Sequence, residues 1–324
     1  MNEMPRIINL ISIQKPAMTK RLIRQVAPYS SVVALDLEDG LWDIFNPQYT
    51  AQLKAAGREN LIALASESAD LFANHAVAIR VNKLSGEEFA NDLTTLAEIS
   101  KCVGLFGIVA TKVETAEDLR QYTDLFAARK IKSNLVIPIV ETVKGFANIR
   151  EISLEAAHMG IPGIVYGHFD YSLDAGHWPF LEHDETAFWE HVTRFIEQVE
   201  DAGVNYIHAP CLHLYNHALF AEIFHQLEMR CKHNFGLLAI SQEQSSVYYD
   251  LLQGKSIERS GLHPTLYSNH EKHIELAKLI CNSYNKNLHK GKSFAVDAPM
   301  GYFISPHMYL AARNFLDEIK ANDA

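Results

Sequence analysis

The chain has 324 residues, 48% of them hydrophobic, so it can bury a sizeable core without disulfides or a structural metal. Its 29 Lys and Arg against 39 Asp and Glu leave a net charge of −10 with histidine neutral, which argues against nucleic acid or an anionic membrane as the main partner. No apolar run reaches the length of a membrane span, and the four cysteines form no C-x-x-C pair, so a soluble, cytoplasmic protein with reduced thiols is expected.

Taken in chain order, eight apolar runs stand out: Ile7–Ile13, Ser31–Leu37, Val77–Val81, Leu105–Ala110, Leu135–Val140, Gly163–Tyr166, Tyr206–Ala209 and Leu237–Ile240. Runs without a polar alternate fit strands buried on both faces of a parallel sheet. Between them lie stretches of helical spacing, among them Ala116–Ala128, Phe146–Met159 and Glu190–Ala202. Eight strand–helix repeats predict a (β/α)8 barrel, with a doubly wound open sheet as the alternative. The barrel is expected over residues 1–245, and a Tyr- and His-rich helical extension over 246–324.

In such a barrel, functional groups belong where the strands end and the loops converge. The second run ends in Asp36, Glu38 and Asp39, the third in Arg80 and Asn82, and the fourth in Lys112 and Glu114. The fifth ends in Glu141, and the sixth in Gly167, His168 and Asp170. A lone acid at a strand end is more often a cap, but several converging on one mouth suit a hard divalent cation with oxygen ligands. Glu141 and Asp170, expected on neighbouring strands, would hold Mg²⁺, or Mn²⁺ in its place. Arg80 would grip a substrate carboxylate in bidentate fashion. Gly167 would let substrate approach closely.

At these residues the sequence resembles the citrate lyase β-subunit-like members of the HpcH/HpaI aldolase family. The resemblance is carried by VVALDLEDG (32–40), VAIRVN (77–82), VATKVETAEDL (109–119), IPIVETVKGFANIREI (137–152) and GIVYGHFDYSLDAG (163–176). It implies a barrel fold, Mg²⁺-dependent cleavage or formation of carbon–carbon bonds, and metal ligation by Glu141 and Asp170. It departs from the family at Ile8–Ser12, at Ile240–Gln244, and at Val296–Met300, regions that help hold coenzyme A and close the site.

The expected activity is retro-aldol cleavage or condensation of a hydroxy acid or its coenzyme A thioester, with a small 2-oxo acid or hydroxy acid as partner molecule. An inactive binding subunit and a thioesterase using the same metal site are the alternatives. Asp36, Glu38 and Asp39 are expected to order metal-bound water or to serve as loop caps, Lys112 to neutralise the carboxylates, touch substrate or act as a buried ion-pair partner, and Asn82 to orient Arg80, bind substrate or satisfy strand-end backbone groups. Asp297 is the candidate base, Gly145 offers a backbone N–H to an anion, and His168 reads as a packed histidine. A homo-oligomer, trimer or hexamer, is expected, with the extension capping a neighbour's mouth.

Overall fold

The computed structural model describes residues 4–13, 15–183, 185–257, 273–288, 295–297 and 301–322. Eight strands run parallel in sequence order: β1 (Ile7–Ser12), β2 (Val32–Asp36), β3 (Val77–Val81), β4 (Gly107–Ala110), β5 (Val136–Val140), β6 (Gly163–Tyr166), β7 (Asn205–His208) and β8 (Gly236–Ala239). β8 pairs back onto β1, from Ile7–Leu237 to Asn9–Ala239, and closes the barrel. Closure suits strands this apolar, because it gives every backbone donor and acceptor a partner and leaves no edge. Each run marked in the sequence is a strand.

Successive side chains on a strand face opposite ways, so one set of each points inward. Ile8, Val32, Ala34, Ala78, Val109 and Ile137 fill the interior as a single apolar cluster with Val165, Ile207 and Leu238. The outward set packs against the surrounding helices. Ala116–Ala128 is the helix its spacing predicts, opened by a capping box between Thr115 and Asp118. The stretch expected as one helix over Phe146–Met159 is two, Val143–Ala147 and Ile149–His158. Asn148 stands at the break, its side-chain amide donating to Glu114 O at 2.9 Å.

The boundary expected at 245/246 falls inside the helix Gln242–Leu252, which packs on β8 and β1 as the barrel's eighth helix. Beyond it come the helix His273–Leu288, an antiparallel hairpin of β9 (Ala295–Asp297) and β10 (Tyr302–Ile304), and the helix Pro306–Asn322. These elements seat on the mouth of their own barrel. Phe303 N–H donates to Leu212 O, and Leu214 N–H to Gly301 O, each at 2.8 Å. Tyr302 O–H donates to the buried Glu182 Oε1 at 2.7 Å. A second apolar cluster, including Phe169, Phe180, Tyr284, Ile304 and Met308, fills the seam. Tyr302, Phe303 and Tyr309 pack in this cluster. Among the described residues, no helix is long and apolar enough to cross a membrane.

Candidate active site

On four strands the inward alternation continues one step past the apolar layer. Asp36 follows Ala34, Arg80 follows Ala78, Glu141 follows Ile139 and Gly167 follows Val165, so all four line the mouth. Asp36 and Arg80 are register partners across β2 and β3. Arg80 Nε donates to Asp36 Oδ1 at 2.8 Å, and Nη2 to Oδ2 at 2.6 Å. The N–H groups of Glu38 and Gly40 donate to the same carboxylate, each at 2.8 Å. A Cβ at Gly40 would come 2.6 Å from Asp36 Oδ2, so this turn requires glycine.

Two expectations are corrected by this geometry. The edge of Arg80 meant for a substrate carboxylate is already filled by Asp36, and four donors saturate Asp36, which leaves it no role in ordering metal-bound water. The remaining nitrogen of Arg80, Nη1, lies 3.2 Å from Glu38 Oε2 and 3.3 Å from Asp39 Oδ2. Arg80 therefore positions carboxylates.

Lys112 takes a φ of 51°, a left-handed conformation that a residue with a side chain adopts only when its surroundings enforce it. The turn aims both of its donors at the cluster. Its N–H donates to Glu141 Oε1 at 3.0 Å, and Nζ reaches Glu38 Oε1 at 2.5 Å and Asp170 Oδ1 at 3.0 Å. Glu141 fits because Gly167 has no side chain: a Cβ there would stand 2.6 Å from both Glu141 Cβ and Oε2. The room at Gly167 is thus occupied by Glu141 itself, although Gly167 also lines the cavity.

The sequence reading missed one member of the site. His307, second residue of the helix Pro306–Asn322, puts Nε2 3.1 Å from Asp170 Oδ1 and 4.0 Å from Asp39 Oδ1. It is buried, with the Trp42 ring 5.3 Å away, centre to centre. The Pro306-His307 pair opens a helix far along the chain from the acids it meets, and no motif spacing links them.

Charge in this mouth is unbalanced. Burial first, then Asp39, pushes Glu38 up to about 7, against the pull of Lys112 and Arg80. Burial, then Asp170, raises Glu141 well above the carboxylate range. Burial also opposes ionisation of Asp170, but His307 and Lys112 outweigh it and hold that carboxyl far below its ordinary value. Burial disfavours a charged His307, yet Asp170 and Asp39 prevail and raise it. Glu38 Oε2 is buried without a well-aligned hydrogen bond, although Arg80 Nη1 is near. With Asp36 committed to Arg80, four acids face two cations, Lys112 and His307. Hard oxygen donors in excess over cations are the donor set a divalent ion suits, and the residues fit one.

The cavity at the mouth measures about 430 Å³. Asp39, Glu141, Asp170 and His307 form one part of its wall, and Leu10, Leu22, Leu212, Leu238, Ile240 and Phe303 are among the apolar residues of the rest. Asn82 takes no part in that wall, which corrects its assignment to substrate. Its backbone and side-chain N–H groups donate to Asp92 Oδ2 at 2.7 and 2.8 Å, and its side chain also to Leu37 O at 3.0 Å. Gly145 is likewise corrected: its N–H donates to the capping Thr142 Oγ1 at 3.0 Å. His168 is packed against Phe169 and Phe188, as expected. Asp297 ends β9 opposite Tyr302 and is described through its backbone alone. The polar residues of the departing segments are tied into the fold, Asn9 to Ser245 Oγ at 2.8 Å and Gln244 to Cys211 O at 2.5 Å.

Comparison with known proteins agrees with this architecture. A citrate lyase subunit beta-like protein of Deinococcus radiodurans is 31% identical over 150 residues, 44% of this chain and 45% of that relative, so the match spans less than half of the relative's length. The CitE protein of Mycobacterium tuberculosis, solved with magnesium and pyruvate, superposes with a TM-score of 0.57 at 18% identity, over 84% of this chain and 96% of that one. Malate synthase of Haloferax volcanii, solved as a pyruvate/acetyl-CoA ternary complex, reaches a TM-score of 0.74 at 13% identity, over 99% of this chain and 92% of that one. At these identities the two structures speak for the fold, and the second covers the C-terminal extension too. The model of the enzyme family HpcH/HpaI aldolase/citrate lyase matches residues 10–219, which include β2 to β6, the strands that build the acidic mouth, and the chain belongs to that family.

Proposed function

We propose that the protein is a Mg²⁺-dependent carbon–carbon lyase of the citrate lyase β-like type, acting on a hydroxy acid or its thioester with a 2-oxo acid or aldehyde as one product. The observation that carries this reading is the excess of buried carboxylates beside one cavity, with Glu141 seated in the space left by Gly167. A citrate lyase beta subunit from M. tuberculosis, solved in complex with oxaloacetate and magnesium, supports the substrate class.

Glu141 and Asp170 would hold the ion, which supplies Lewis-acid stabilisation of negative charge on a substrate oxygen, an effect of several kcal/mol. Lys112 joins Glu38 to Asp170 and fixes the direction of the Asp170 carboxylate. Arg80, locked by Asp36, holds Glu38 and Asp39 at the rim of the cavity. The apolar wall lowers the local dielectric around the reacting bond and strengthens each of these interactions. Calorimetric titration of the full chain with Mg²⁺ and pyruvate or oxaloacetate tests the reading. Each ligand is expected to tighten binding of the other; independent or absent binding would reduce the barrel to a non-catalytic one.

A further inference from the structure

We propose that His307 is a metal ligand, so that the cation held by Glu141 and Asp170 at this mouth also takes a nitrogen donor, with Asp39 beside it. The site then prefers Mn²⁺ or Co²⁺ to Mg²⁺ more strongly than carboxylates alone would. The inference rests on reading the mouth as a divalent-cation site and concerns which residues hold the ion.

One oxygen of Asp39, one of Asp170 and one imidazole nitrogen of His307 all lie within 4.8 Å of one another. Two ligands bonded to one octahedral ion at ~2.1 Å stand ~3.0 Å apart when adjacent and ~4.2 Å apart when opposite. Without an ion the 3.1 Å contact is a hydrogen bond from His307 Nε2 to Asp170, and an ion replacing that proton would find separations, 3.1 Å to Asp170 and 4.0 Å to Asp39, that match those two edges. The imidazole is held in place before any ion arrives. Its side chain is 8% exposed, it packs by Trp42, and the helix that carries it is anchored through Ser305 and the β10 strand. Glu38 Oε2, buried and without a well-aligned hydrogen bond, adds an acceptor in the same cluster.

The chemistry of the donors sets the metal. Carboxylate oxygens suit Mg²⁺, whereas imidazole suits first-row transition ions, whose affinity for nitrogen donors rises from Mn²⁺ through Co²⁺. A nitrogen ligand thus raises the affinity ratio of Mn²⁺ or Co²⁺ over Mg²⁺. Because His307 belongs to the C-terminal extension, the same ion would also tie that extension to β2 and β6 of the barrel.

The test uses the full chain, stripped with a chelator and reloaded with Mn²⁺ or Mg²⁺ alone. Pulsed electron paramagnetic resonance of the Mn²⁺ form is expected to show coupling to a ligand nitrogen, and ¹⁵N-histidine labelling of the unaltered chain to change that coupling. Calorimetry of His307→Ala should show both ions binding more weakly, with the Mn²⁺ to Mg²⁺ affinity ratio falling about 10–100-fold. Nitrogen coupling absent from the unaltered chain, or insensitive to the label, overturns the proposal whatever the variant does. In that case Mg²⁺ binding that persists leaves the lyase reading standing, whereas failure to bind any divalent ion removes both.

Discussion

The acidic mouth of the barrel and the C-terminal extension reach the same cavity by different routes. Much of the mouth is built locally: four of its residues sit one alternation beyond an apolar interior residue, so strand register brings Asp36, Arg80, Glu141 and Gly167 together. The extension contributes through long-range docking, with Tyr302 reaching Glu182 and His307 reaching Asp170. Damage to the mouth should therefore abolish chemistry with little loss of fold. Damage to the extension should loosen one segment first.

The largest effect is expected at Glu141. Glu141→Gln keeps the volume but removes a ligand charge, and should lower kcat/KM about a thousandfold or more, along with Mg²⁺ affinity, because the metal's contribution amounts to several kcal/mol. Turnover at near-normal rate in that variant would place the metal elsewhere. Gly167→Ala comes next. Gly167 has an ordinary φ of −96°, so backbone strain plays no part, and the new Cβ acts chiefly by displacing Glu141, with Ile139 Cγ2 a lesser contact at 3.2 Å. A loss of roughly a hundredfold in kcat is expected from a misplaced ligand, with a stability cost of about 1–3 kcal/mol. A small kcat effect beside a large stability loss would mean that Glu141 can shift without consequence for the reaction.

The contrast also explains what could be read in advance. Parallel barrel strands are apolar on both faces, so each shows as an uninterrupted run, and all eight were legible. The polar residues ending those runs were legible as a site because they adjoin them directly. What each residue does was less so. The Asp36–Arg80 pair depends on register between neighbouring strands, and a guanidinium at a strand end looks the same whether it meets a substrate or another side chain. Asn82 satisfies a strand-end backbone group, Leu37 O, as one of its alternatives had it, and its other partner Asp92 lies on the following helix. His307 was invisible, because only the docked extension brings it to Asp39 and Asp170.

Tyr302→Phe probes the extension directly. It removes the donor to a fully buried carboxylate oxygen of Glu182, and an unsatisfied buried acceptor costs about 1–3 kcal/mol. Thermal unfolding should drop by a few degrees at most, since ~2–4 °C per kcal/mol is already the scale for smaller proteins. Hydrogen exchange in residues 301–322 should rise more than in the strands. Uniform acceleration across the barrel would show that the extension and the barrel unfold as one unit, and would erase the distinction drawn between them.

The smallest expected effect, and the most informative about charge, is the pH dependence of stability in the metal-free chain. Glu38, raised to about 7 chiefly by burial, and Glu141, raised for the same main reason, hold protons more tightly folded than unfolded. As pH climbs from the ordinary carboxylate range through about 7, the folded chain must give up protons that the unfolded chain has already lost, and stability falls. His307, raised by Asp170 and Asp39 against burial, acts in the same direction: its contribution is complete below its unfolded value and disappears as pH passes the raised one. Asp170 and Asp39 are held low, so their contribution is lost only in acid, below this window. Melting temperature without metal should therefore decline between about pH 5 and pH 8, and saturating divalent cation should flatten the decline by taking the place of the protons. A flat profile without metal would mean that Lys112 and Arg80 already balance these carboxylates, and the electrostatic reason for assigning a divalent ion to this mouth would be gone.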